Sequence, residues 1–575
     1  CREDVMEVKN DHVLIQSNVE IHNKPYILSL TRTQLTWEPT SIETGRSSTI
    51  SEQLAKLKVH VQDLREVIGV HPVKPPSKPS RGFKKSYNSK HDSPMFVELH
   101  PIGPLAFAVS MVTNTSKPRW RCKTINFLCT DTYLCQQWID KIKEVLAIPA
   151  FNRPRRLLVF INPLAGNKKA EKIYREKVQP FFEIAEIHVD VIVTERANHA
   201  RDTVQSGYDL RTVDGLVCVG GDGIFTELLN GLLTRTNTEA GMEQTLDHDP
   251  ISPDLRIGII PAGSTDCIVY TTTGVSDPTT SALHIIIGDS IGIDVCSVYH
   301  GDCFQRYCVS MLGYGYFGDL LKESENNRWM GKLRYDWSGL KKIFANRAYE
   351  GEIEFRESPD SKSRPTDGLR CFIGCSVCQA AGERKSQDNI QNRTAASALF
   401  TISQEDLEQS SSDGWQTIRG RFCSIKCLTL SCACSLSDKG LAPNCHLGDG
   451  CSDLVLVREC SRFNFFRFLL STNKPELNQF DLDFVEVYRV KEFRFRPISS
   501  EESDSKTALN MKSRHKKLRP QRSSMWNCDG EVLENPVVNA RVHCQLVRLF
   551  ARGRPNLERS NENHSCCVAC EKGEM

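Results

Sequence analysis

The chain has 575 residues, of which 39% are hydrophobic and 25% are charged, and its net charge is +2. This length predicts about three or four domains, and the composition is typical of a globular protein. The small net charge argues against a nucleic-acid partner, and the lack of any run of about 18 apolar residues argues against a transmembrane helix. Because the 24 cysteines are scattered along the chain, we expect reduced thiols and a cytoplasmic location rather than a disulfide framework.

Residues 1–148 have the pattern of a separate module of short strands that ends in one helix. In this helix, predicted over 131–146, one face carries Leu134, Trp138, Ile142 and Val145. Between the strands, a segment rich in Pro and Ser is predicted to be a mobile basic loop that contains Lys74, Lys78, Arg81, Lys84, Lys85 and Lys90. Antiparallel strands closed by a helix with a central Trp resemble the pleckstrin-homology family. The resemblance implies binding to a membrane surface with anionic lipid headgroups; a protein-docking scaffold is the alternative.

Residues 153–283 alternate strands and helices, which predicts an α/β domain with a parallel sheet. Four short apolar runs each end in a polar or Gly-rich turn, and they lie at residues 157–161, 187–193, 216–219 and 255–260. A helix is predicted from the first turn to about Phe182. Because ligands bind beyond the carboxyl ends of parallel strands, we expect these turns to converge on one site.

The turn after the third of these strands contains Gly220, Gly221 and Gly223, which allow close approaches that a Cβ would block. A glycine turn that leads into a helix presents free N–H groups and the positive end of the helix dipole, so it predicts a phosphate site. Asp222 lies inside this turn, where a negative charge needs a specific reason. Asp222 is either a general base toward a hydroxyl or a helix N-cap with no chemistry.

No P-loop motif of the form G-x-x-x-x-G-K-[ST] is present. Instead, four motifs resemble, in order and spacing, the catalytic domain of the diacylglycerol kinase family, which includes sphingosine and ceramide kinases: Asn162-Pro163 with Gly166, Thr194-Glu195 with Asn198-His199-Ala200, Gly220-Gly221-Asp222-Gly223 with Glu227, and Pro261-Ala262-Gly263-Ser264. The resemblance implies that ATP is bound by Asn162, Pro163, Leu164, Thr194, Glu195, Arg196, Ala197, Asn198, Gly220, Glu227 and Ser264. It also implies that the lipid substrate is bound at Gly220, Gly221, Asp222 and Gly223.

Residues 284–552 are rich in predicted strands, which is similar to the β-sandwich-like lipid-binding domain of the same family. In the sphingosine kinases that this stretch resembles, the residue matching Asp319 recognises the lipid headgroup, and those matching Arg328 and Arg334 approach the nucleotide. The resemblance further implies contact with ATP or its Mg²⁺ ion by Asp529, Gly530 and Glu531. The predicted fold class is therefore α/β plus all-β: a pleckstrin-homology-like module, an α/β nucleotide-binding domain and a β-rich lipid-binding domain.

Cys371, Cys375 and Cys378 form a C-x-x-x-C-x-x-C pattern, which together with the N-terminal module resembles the ceramide kinases. Three thiolates and one further ligand, either His446 or another cysteine, would make a tetrahedral zinc site. Because spacing does not supply the fourth ligand, packed reduced thiols are the favoured interpretation. The glycine turn at 446–450 is interpreted as structural.

Two further stretches carry weaker signals. Residues 454–470 combine the apolar side chains of Leu456, Phe463 and Leu469 with three arginines. This pattern can suit calmodulin, although a buried strand pair is the favoured interpretation. The tail at 553–575 is predicted to be disordered, and its candidates for palmitoylation are Cys566, Cys567 and Cys570.

The family resemblance implies a kinase that transfers the γ-phosphate of ATP, with Mg²⁺, to the primary hydroxyl of ceramide, with Asp222 as the base. The alternatives are a kinase of sphingosine or diacylglycerol on the same fold, and an inactive membrane adaptor. Intact Asp222 and Glu227 argue against the adaptor. We expect a cytoplasmic protein that associates peripherally with membranes, and the resemblance suggests the Golgi or the plasma membrane.

Overall fold

The computed structural model describes residues 12–40, 59–73, 105–327, 333–357, 364–396, 414–472, 478–498 and 523–556. Three of the features predicted above lie outside these ranges: the basic residues at 74–90, Arg328 and the cysteines of the tail. In the described part of the chain, no helix combines the length and the apolar character needed to cross a membrane.

The N-terminal region is one antiparallel sheet closed by a helix. Its strands, in the spatial order β4-β3-β2-β1-β7-β6-β5, are β1 Ile15–Ile21, β2 Lys24–Leu30, β3 Gln34–Pro39, β4 His60–Asp63, β5 Val67–Val73, β6 Ala106–Thr113 and β7 Arg121–Leu128. Helix α1 spans Thr132–Leu146, and the Asp131 side chain caps it by accepting the Leu134 N–H. Trp138 is fully buried, and its indole N–H donates to Ser17 Oγ at 2.9 Å. The pleckstrin-homology-like architecture predicted from the Trp-centred helix is confirmed.

The second region has a parallel sheet with the order β9-β8-β10-β11. The strands are β8 Arg156–Ile161, β9 His188–Val193, β10 Gly215–Gly220 and β11 Arg256–Pro261. The helices are α2 Ala165–Lys168, α3 Ala170–Lys177, α4 Gln179–Ile184, α5 His199–Asp202, α6 Asp222–Glu239, α7 Cys267–Thr273 and α8 Pro278–Ile287. The chain moves outward from β8 to β9 and then returns to the other side of β8, so the strand order reverses between β8 and β10. The carboxyl ends of strands at such a reversal form a crevice that binds ligands.

The prediction of one continuous helix from the first turn to about Phe182 is wrong. Three short helices, α2 to α4, occupy this stretch, with breaks at Lys169 and Val178. Both break residues depart from helical backbone angles, and Pro180 is the second residue of the last helix. Proline is tolerated in the first turn of a helix because that turn has no partner for its N–H.

The C-terminal region is mainly antiparallel. Its strands are β12 Ser290–His300, β13 Cys303–Cys308, β14 Met311–Gly315, β15 Tyr349–Glu357, β16 Trp415–Leu428, β17 Ser452–Arg458, β18 Val485–Pro497, β19 Trp526–Cys528, β20 Glu531–Leu533 and β21 Val538–Phe550, and its helices are α9 Tyr316–Asn326, α10 Leu333–Ala345, α11 Ser376–Ala396 and α12 Arg462–Ser471. Strands β15 and β17 each pair with both β16 and β18. The four strands therefore close on one another around an apolar core that includes Phe422, Phe493 and Trp526, as expected for a β-sandwich-like domain.

One strand joins the last two regions. β21 pairs in parallel with β11, where Ile257 lies opposite Leu549, and pairs antiparallel with β12 and β18. The parallel sheet of the nucleotide region thus continues into the antiparallel sheet. The predicted domain boundaries at 148, 283 and 552 stay predictions, but the boundary at 283 does not interrupt the sheet.

The N-terminal region packs directly on the nucleotide region. The Trp120 ring lies against the His284 ring with centroids 3.7 Å apart, and the backbone N–H of Trp120 donates to Thr280 Oγ1 at 3.2 Å. A Cβ added at Gly69 would lie 2.1 Å from the Ile184 carbonyl oxygen, so the two regions are in close backbone contact there. Their relative position is therefore fixed by packing and not by a linker alone.

Candidate functional site

A cleft of about 580 Å³ opens at the carboxyl ends of the parallel strands. One wall consists of the turns that follow β8, β10 and β11, and the other wall comes from the C-terminal region. The lining includes Gly166, Gly221, Asp222, Ser264, Asp266 and Asp529. The predicted convergence of the turns is therefore seen for three of the four strands, and the cleft lies at the reversal of strand order.

The glycines at the centre of the cleft allow two turns to touch. A Cβ on Gly221 would lie 3.2 Å from Gly263 Cα, and one on Gly263 would lie 2.6 Å from Gly221 Cα. A Cβ on Gly223 would instead meet no atom within 4 Å. Gly221 and Gly263 are needed for backbone packing. Gly223 instead leaves open space at the start of helix α6, where an anion can approach the N–H groups.

The turn after β8 is held by its own polar groups. Asn162 Oδ1 accepts the Leu164 N–H at 3.0 Å, and the Asn162 N–H donates to the Val219 carbonyl at the end of β10. Pro163 lies between Asn162 and Leu164. Gly166, later in the same turn, has a φ of +62°. The Asn162 side chain thus shapes the turn, and the backbone of the turn faces the cleft.

Asp222 is not the N-cap of the helix it begins, so that alternative is corrected. Gly221 is the N-cap, and Asp222 is the first helical residue. Its carboxylate crosses to the next helix, where Oδ2 accepts the Cys267 N–H at 3.1 Å and Oδ1 accepts the Ile268 N–H at 3.0 Å. Burial raises the pKa of Asp222, the two backbone N–H groups lower it, and the net shift is upward. A half-buried carboxylate with a raised pKa is a better proton acceptor than an exposed one.

Asp266 is a second carboxylate of this wall, and no sequence pattern pointed to a role for it. Its Oδ1 accepts the Gly263 N–H at 2.8 Å and its Oδ2 accepts the Ser276 hydroxyl at 3.0 Å. Asp266 therefore shapes the turn after β11. The predicted ATP contact Ser264 lies in the same turn, is exposed, and lines the cleft.

The segment after β9 lies beside the cleft but does not line it. Thr194 is buried and its N–H donates to the Ile161 carbonyl at the end of β8. Glu227, on helix α6, accepts the Ala200 N–H at 3.2 Å. Burial raises the pKa of Glu227, while the backbone N–H groups that it accepts lower it. Glu227 thus holds the segment containing the predicted nucleotide contacts Glu195, Arg196, Ala197 and Asn198.

Arg196 and Asn198 have structural partners within this segment. Arg196 forms an ion pair with Asp202 at 2.8 Å and donates to the Ala197 carbonyl. Asn198 is the N-cap of α5 and has a φ of +60°. Direct contact of this segment with a nucleotide stays a prediction.

The opposite wall of the cleft contains Asp529 and Gly530. Asp529 accepts three backbone N–H groups, from Val309 at 2.7 Å and from Ser310 and Met311 at 2.9 Å each. The charge of Asp529 is also one cause of the raised pKa of Asp222. The two carboxylates therefore interact across the cleft. The neighbouring Glu531 forms an ion pair with Arg306.

Asp319 lies in a different pocket. Its Oδ1 accepts the Ser524 hydroxyl at 2.7 Å and its Oδ2 accepts the Tyr349 hydroxyl. The pocket is also lined by Lys342 and Phe465. Helix α9, which carries Asp319, packs against β19 and β20, and the turn between these strands carries Asp529. Arg334 belongs to helix α10.

The run Gly313 to Gly318 has the spacing G-x-G-x-x-G and joins β14 to α9. Here the glycines serve packing: Gly315 has a φ of +74°, and a Cβ on Gly318 would lie 1.8 Å from the Met525 carbonyl oxygen. Among the described residues, both strands that pair with β14 run antiparallel to it, so this turn lacks the parallel-sheet setting of a dinucleotide site.

The other predicted motifs lie outside the cleft. Cys371, Cys375 and Cys378 come together with His446. The glycine turn at 446–450 has a structural contact, as expected, because Asp449 pairs with the buried Arg489 at 3.0 Å.

Residues 454–470 do not form a strand pair, so the favoured interpretation of this stretch is only half right. Leu456 is fully buried in β17, whereas Phe463 is 76% exposed on helix α12. The apolar side chains expected to act together therefore belong to different elements. The predicted strand is correct only up to Arg458.

Three family models match successive parts of the chain. Residues 15–142 match the model of the ceramide kinase PH domain, residues 156–298 match the diacylglycerol kinase catalytic domain, and residues 376–570 match the ceramide kinase C-terminal domain. A putative diacylglycerol kinase from Bacillus anthracis str. Sterne aligns over 69% of this chain and 97% of its own length, with 15% identity and a TM-score of 0.42.

Curated relatives extend the match along most of the chain. Ceramide kinase from Homo sapiens is 45% identical over 460 residues, which is 78% of this chain and 83% of the relative. Ceramide kinase 1 from Caenorhabditis elegans is 33% identical over 455 residues, which is 77% of this chain and 74% of the relative. Because both relatives are more than 30% identical and are matched over more than two thirds of each chain, the chain belongs to the ceramide kinase family.

Proposed function

We propose that this protein transfers the γ-phosphate of ATP to the primary hydroxyl of ceramide. The observation that carries the proposal is Asp222, a half-buried carboxylate with a raised pKa inside a cleft lined by glycine turns. Phosphoryl transfer depends mainly on positioning and charge neutralisation. The chain needs one proton acceptor near the phosphate site, and Asp222 is placed to serve. Membership of the ceramide kinase family supports ceramide as the acceptor.

The phosphates of ATP would lie against the turns after β8, β10 and β11. Gly223 leaves space at the first turn of helix α6, and a helix of 18 residues presents free N–H groups and a favourable dipole there. Asn162 would act by fixing the shape of its turn, and Ser264 by donating its exposed hydroxyl. We further propose that Thr194 and Glu227 position the segment at 195–198 beside the nucleotide.

A Mg²⁺ ion fits the carboxylates of the cleft. Asp222 and Asp529 line the same space, and the charge of Asp529 acts on Asp222. Carboxylate oxygens are preferred ligands of Mg²⁺, and we propose that these two residues hold the ion. The ion would neutralise charge on the phosphates. Each Asp222 oxygen accepts one backbone N–H, and the Cys267 thiol is a further donor, so the carboxylate keeps part of its acceptor capacity.

Asp319 would bind the polar headgroup of ceramide. Its carboxylate accepts two side-chain hydroxyls, from Ser524 and Tyr349, and the hydroxyl and amide groups of ceramide can compete for the same acceptor. Helix α9 packs on the β19–β20 hairpin that carries Asp529, so a headgroup held here lies on the side of the cleft opposite Asp222.

The lipid must reach this pocket from a membrane, and an exposed apolar surface adjoins it. Helices α10 and α12 pack together and contribute Lys342 and Phe465 to the pocket. Their outer faces form an exposed set, here called the apolar helix face, which consists of Trp337, Leu340, Phe344, Phe463, Phe466 and Leu470. Exposed basic side chains, Lys341, Arg462 and Arg467, accompany it. We propose that a bilayer with anionic headgroups contacts this face, since apolar insertion and basic attraction act together at a membrane.

The N-terminal domain provides a second membrane contact in this proposal, and the protein would associate peripherally with membranes. Calmodulin at residues 454–470 stays a weaker prediction. Leu456 lies in the buried strand β17, so calmodulin would have to extract that strand from its sheet before it could use Leu456 and Phe463 together.

A substrate panel tests the proposal. Purified protein is incubated with labelled ATP, Mg²⁺ and vesicles that contain ceramide, sphingosine or diacylglycerol, and phosphorylated lipid is measured. We expect ceramide to be phosphorylated at the highest kcat/KM. Preferential labelling of sphingosine or diacylglycerol would contradict the proposed acceptor, and ATP-independent membrane binding with no labelled product would identify an adaptor.

A further inference from the structure

Four potential metal ligands converge at a point outside the catalytic cleft. Cys371 and Cys375 precede helix α11, Cys378 lies in its first turn, and His446 comes from the segment between β16 and β17. One ligand atom from each of the four residues lies within 4.8 Å of all the others. Cys375 Sγ is 3.2 Å from His446 Nδ1, and Cys371 Sγ is 3.6 Å from Cys378 Sγ. The sequence pattern lacked a fourth ligand, and His446 supplies it.

These distances suit a tetrahedral zinc centre. With Zn–S bonds of about 2.3 Å and Zn–N bonds of about 2.0 Å, neighbouring ligand atoms lie roughly 3.5 to 3.8 Å apart. The three cysteines carry no disulfide. A set of three thiolates and one imidazole is a common ligand set of structural zinc sites, and thiolate sulfur disfavours Mg²⁺ and Ca²⁺. We propose that Cys371, Cys375, Cys378 and His446 hold a structural Zn²⁺ ion.

The scaffold positions both halves of the ligand set without help from a metal. Gln545, in β21, donates its side-chain amide to the Cys378 carbonyl at 2.8 Å and to the Gly448 carbonyl at 2.9 Å. On the neighbouring strand β12, the Asp294 N–H donates to the Leu447 carbonyl at 2.8 Å. The start of α11 and the His446 segment are therefore anchored to the same strand pair. Such preorganisation is what a specific metal site requires.

His446 provides a second observation that points to a ligand. The residue is 1% exposed and its Nδ1 faces the thiols, while its Nε2 is buried with no hydrogen-bond partner among the residues described. The imidazole is thus fixed with one nitrogen toward the cysteines. With four protein ligands and no open coordination position, the ion would stabilise the fold and take no part in the chemistry.

The ion would tie the segment before helix α11 to the central strands. In the segment at 364–378, the Ile373 N–H donates to the Arg554 carbonyl at 2.9 Å. Strands β12 and β21, in contrast, form the join between the parallel and antiparallel sheets. Zinc would fasten the first to the second, and metal-binding free energy of this kind adds directly to folding stability.

Metal analysis of the full chain tests the site. The protein is produced with zinc in the medium and purified without chelator, and zinc is measured by plasma mass spectrometry. We expect about one zinc per chain. Cys375→Ser and His446→Gln should each reduce the zinc content to a small fraction of this value. Cys445→Ala is the matched control, because Cys445 is equally buried beside His446 but bonds to the Leu428 carbonyl; it should retain the zinc.

A second measurement keeps the test decisive if a ligand variant does not fold. Wild-type protein is treated with a strong chelator, and its thermal midpoint is followed. We expect the midpoint to fall, and to recover on addition of Zn²⁺ but not of Mg²⁺. A wild-type chain without zinc, or a Cys375→Ser chain that keeps as much zinc as wild type, would overturn the proposal in favour of packed thiols. None of these outcomes depends on the proposed reaction.

Discussion

The two walls of the catalytic cleft hold their carboxylates differently. Asp222, on the wall of parallel strands, accepts one backbone N–H on each oxygen, and both come from the start of a single helix. Asp529, on the opposite wall, accepts three backbone N–H groups from consecutive residues at 309–311. The first carboxylate keeps free acceptor capacity, whereas most of the capacity of the second is already used. Free acceptor capacity favours Asp222 as the proton acceptor, and the fixed position of Asp529 suits its proposed role beside the Mg²⁺ ion.

The largest expected effect comes from Asp222→Asn. Asn cannot take a proton, so we expect kcat on ceramide to fall by about 10²-fold or more. The amide also replaces one acceptor with a donor that faces a backbone N–H, which should destabilise the fold by about 1–3 kcal/mol. Both kcat and the thermal midpoint are therefore measured.

Asp266→Asn is the matched control for this prediction. Asp266 is in the same wall and also accepts two hydrogen bonds, but one donor is the Ser276 hydroxyl, which can rotate to accept from an amide. We expect near-normal turnover from this variant. Equal losses of kcat in the two variants would show that Asp222 serves structure alone, and normal turnover of Asp222→Asn would remove it as the base.

A smaller effect is expected from Asp319→Asn in the C-terminal region. Both of its donors, Ser524 and Tyr349, are hydroxyls that can reorient, so the fold should tolerate the amide. Loss of a charged acceptor for the lipid should lower kcat/KM for ceramide by about tenfold or more, with the KM for ATP unchanged. Glu323→Gln on the same helix is the control, because Glu323 pairs with Lys341 and Lys342. A change confined to the KM for ATP would refute the headgroup assignment.

The apolar helix face should affect membrane binding without affecting chemistry. We expect the double variant Trp337→Ser with Phe463→Ser to bind ceramide-containing vesicles about tenfold more weakly. The two aromatic side chains that would move from water into the bilayer on binding are then absent. Co-sedimentation with vesicles measures the binding. Leu436→Ser is the control, since Leu436 is 85% exposed but lies outside this face. Equal weakening by the control would mean that the effect is general.

The smallest effect concerns Lys426, which is fully buried beneath the rings of Phe317 and Phe468. Burial lowers the pKa of Lys426 to about 7, below its ordinary value of about 10.4 in an unfolded chain. Above pH 7 the unfolded chain thus binds more protons than the folded one, so stability should rise with pH by about 1 kcal/mol per unit between pH 7 and 9. Denaturant unfolding at several pH values measures this slope.

Lys426→Met should remove that slope and raise stability at pH 7, since no charge then needs to be desolvated. A slope that persists unchanged in the variant would assign the titration to another group. Lys426 lies in the C-terminal region. The test therefore also shows how much a buried charge there affects stability, in contrast to the apolar core of the parallel sheet.

The two walls also differ in how well sequence predicted them. The parallel wall follows from local signals: apolar runs that end in glycine turns placed Asn162, Gly220 and Ser264 at one edge, because strand ends of a parallel sheet share that edge. Asp266 was missed since its role depends on the contact between Gly221 and Gly263. On the other wall, the partners of Asp529 are roughly 220 residues away in sequence, and no spacing rule connects them.

Other parts of the molecule show the same physical limit. Sequence left the fourth ligand open between His446 and another cysteine, and His446 meets the three cysteines only because β12 and β21 hold both segments. The N-cap reading of Asp222 failed because a carboxylate can cap a neighbouring helix as well as its own. Sequence periodicity also overestimated helix length between the first turn and Phe182, since tertiary packing tolerates breaks that a pattern of apolar residues does not reveal.

The pairing of Ile257 in β11 with Leu549 in β21 has a consequence for biosynthesis. At about 5–20 residues per second, the ribosome needs roughly 15 to 60 s to make the intervening chain. During that time the growing protein presents an uncovered edge of its nucleotide-binding sheet, and such edges promote aggregation. A premature stop codon or frameshift before β21 would therefore do more than remove a remote segment. It would leave an edge of the nucleotide-binding sheet uncovered, so we expect the codons of β21 to be as critical as those of the glycine turns.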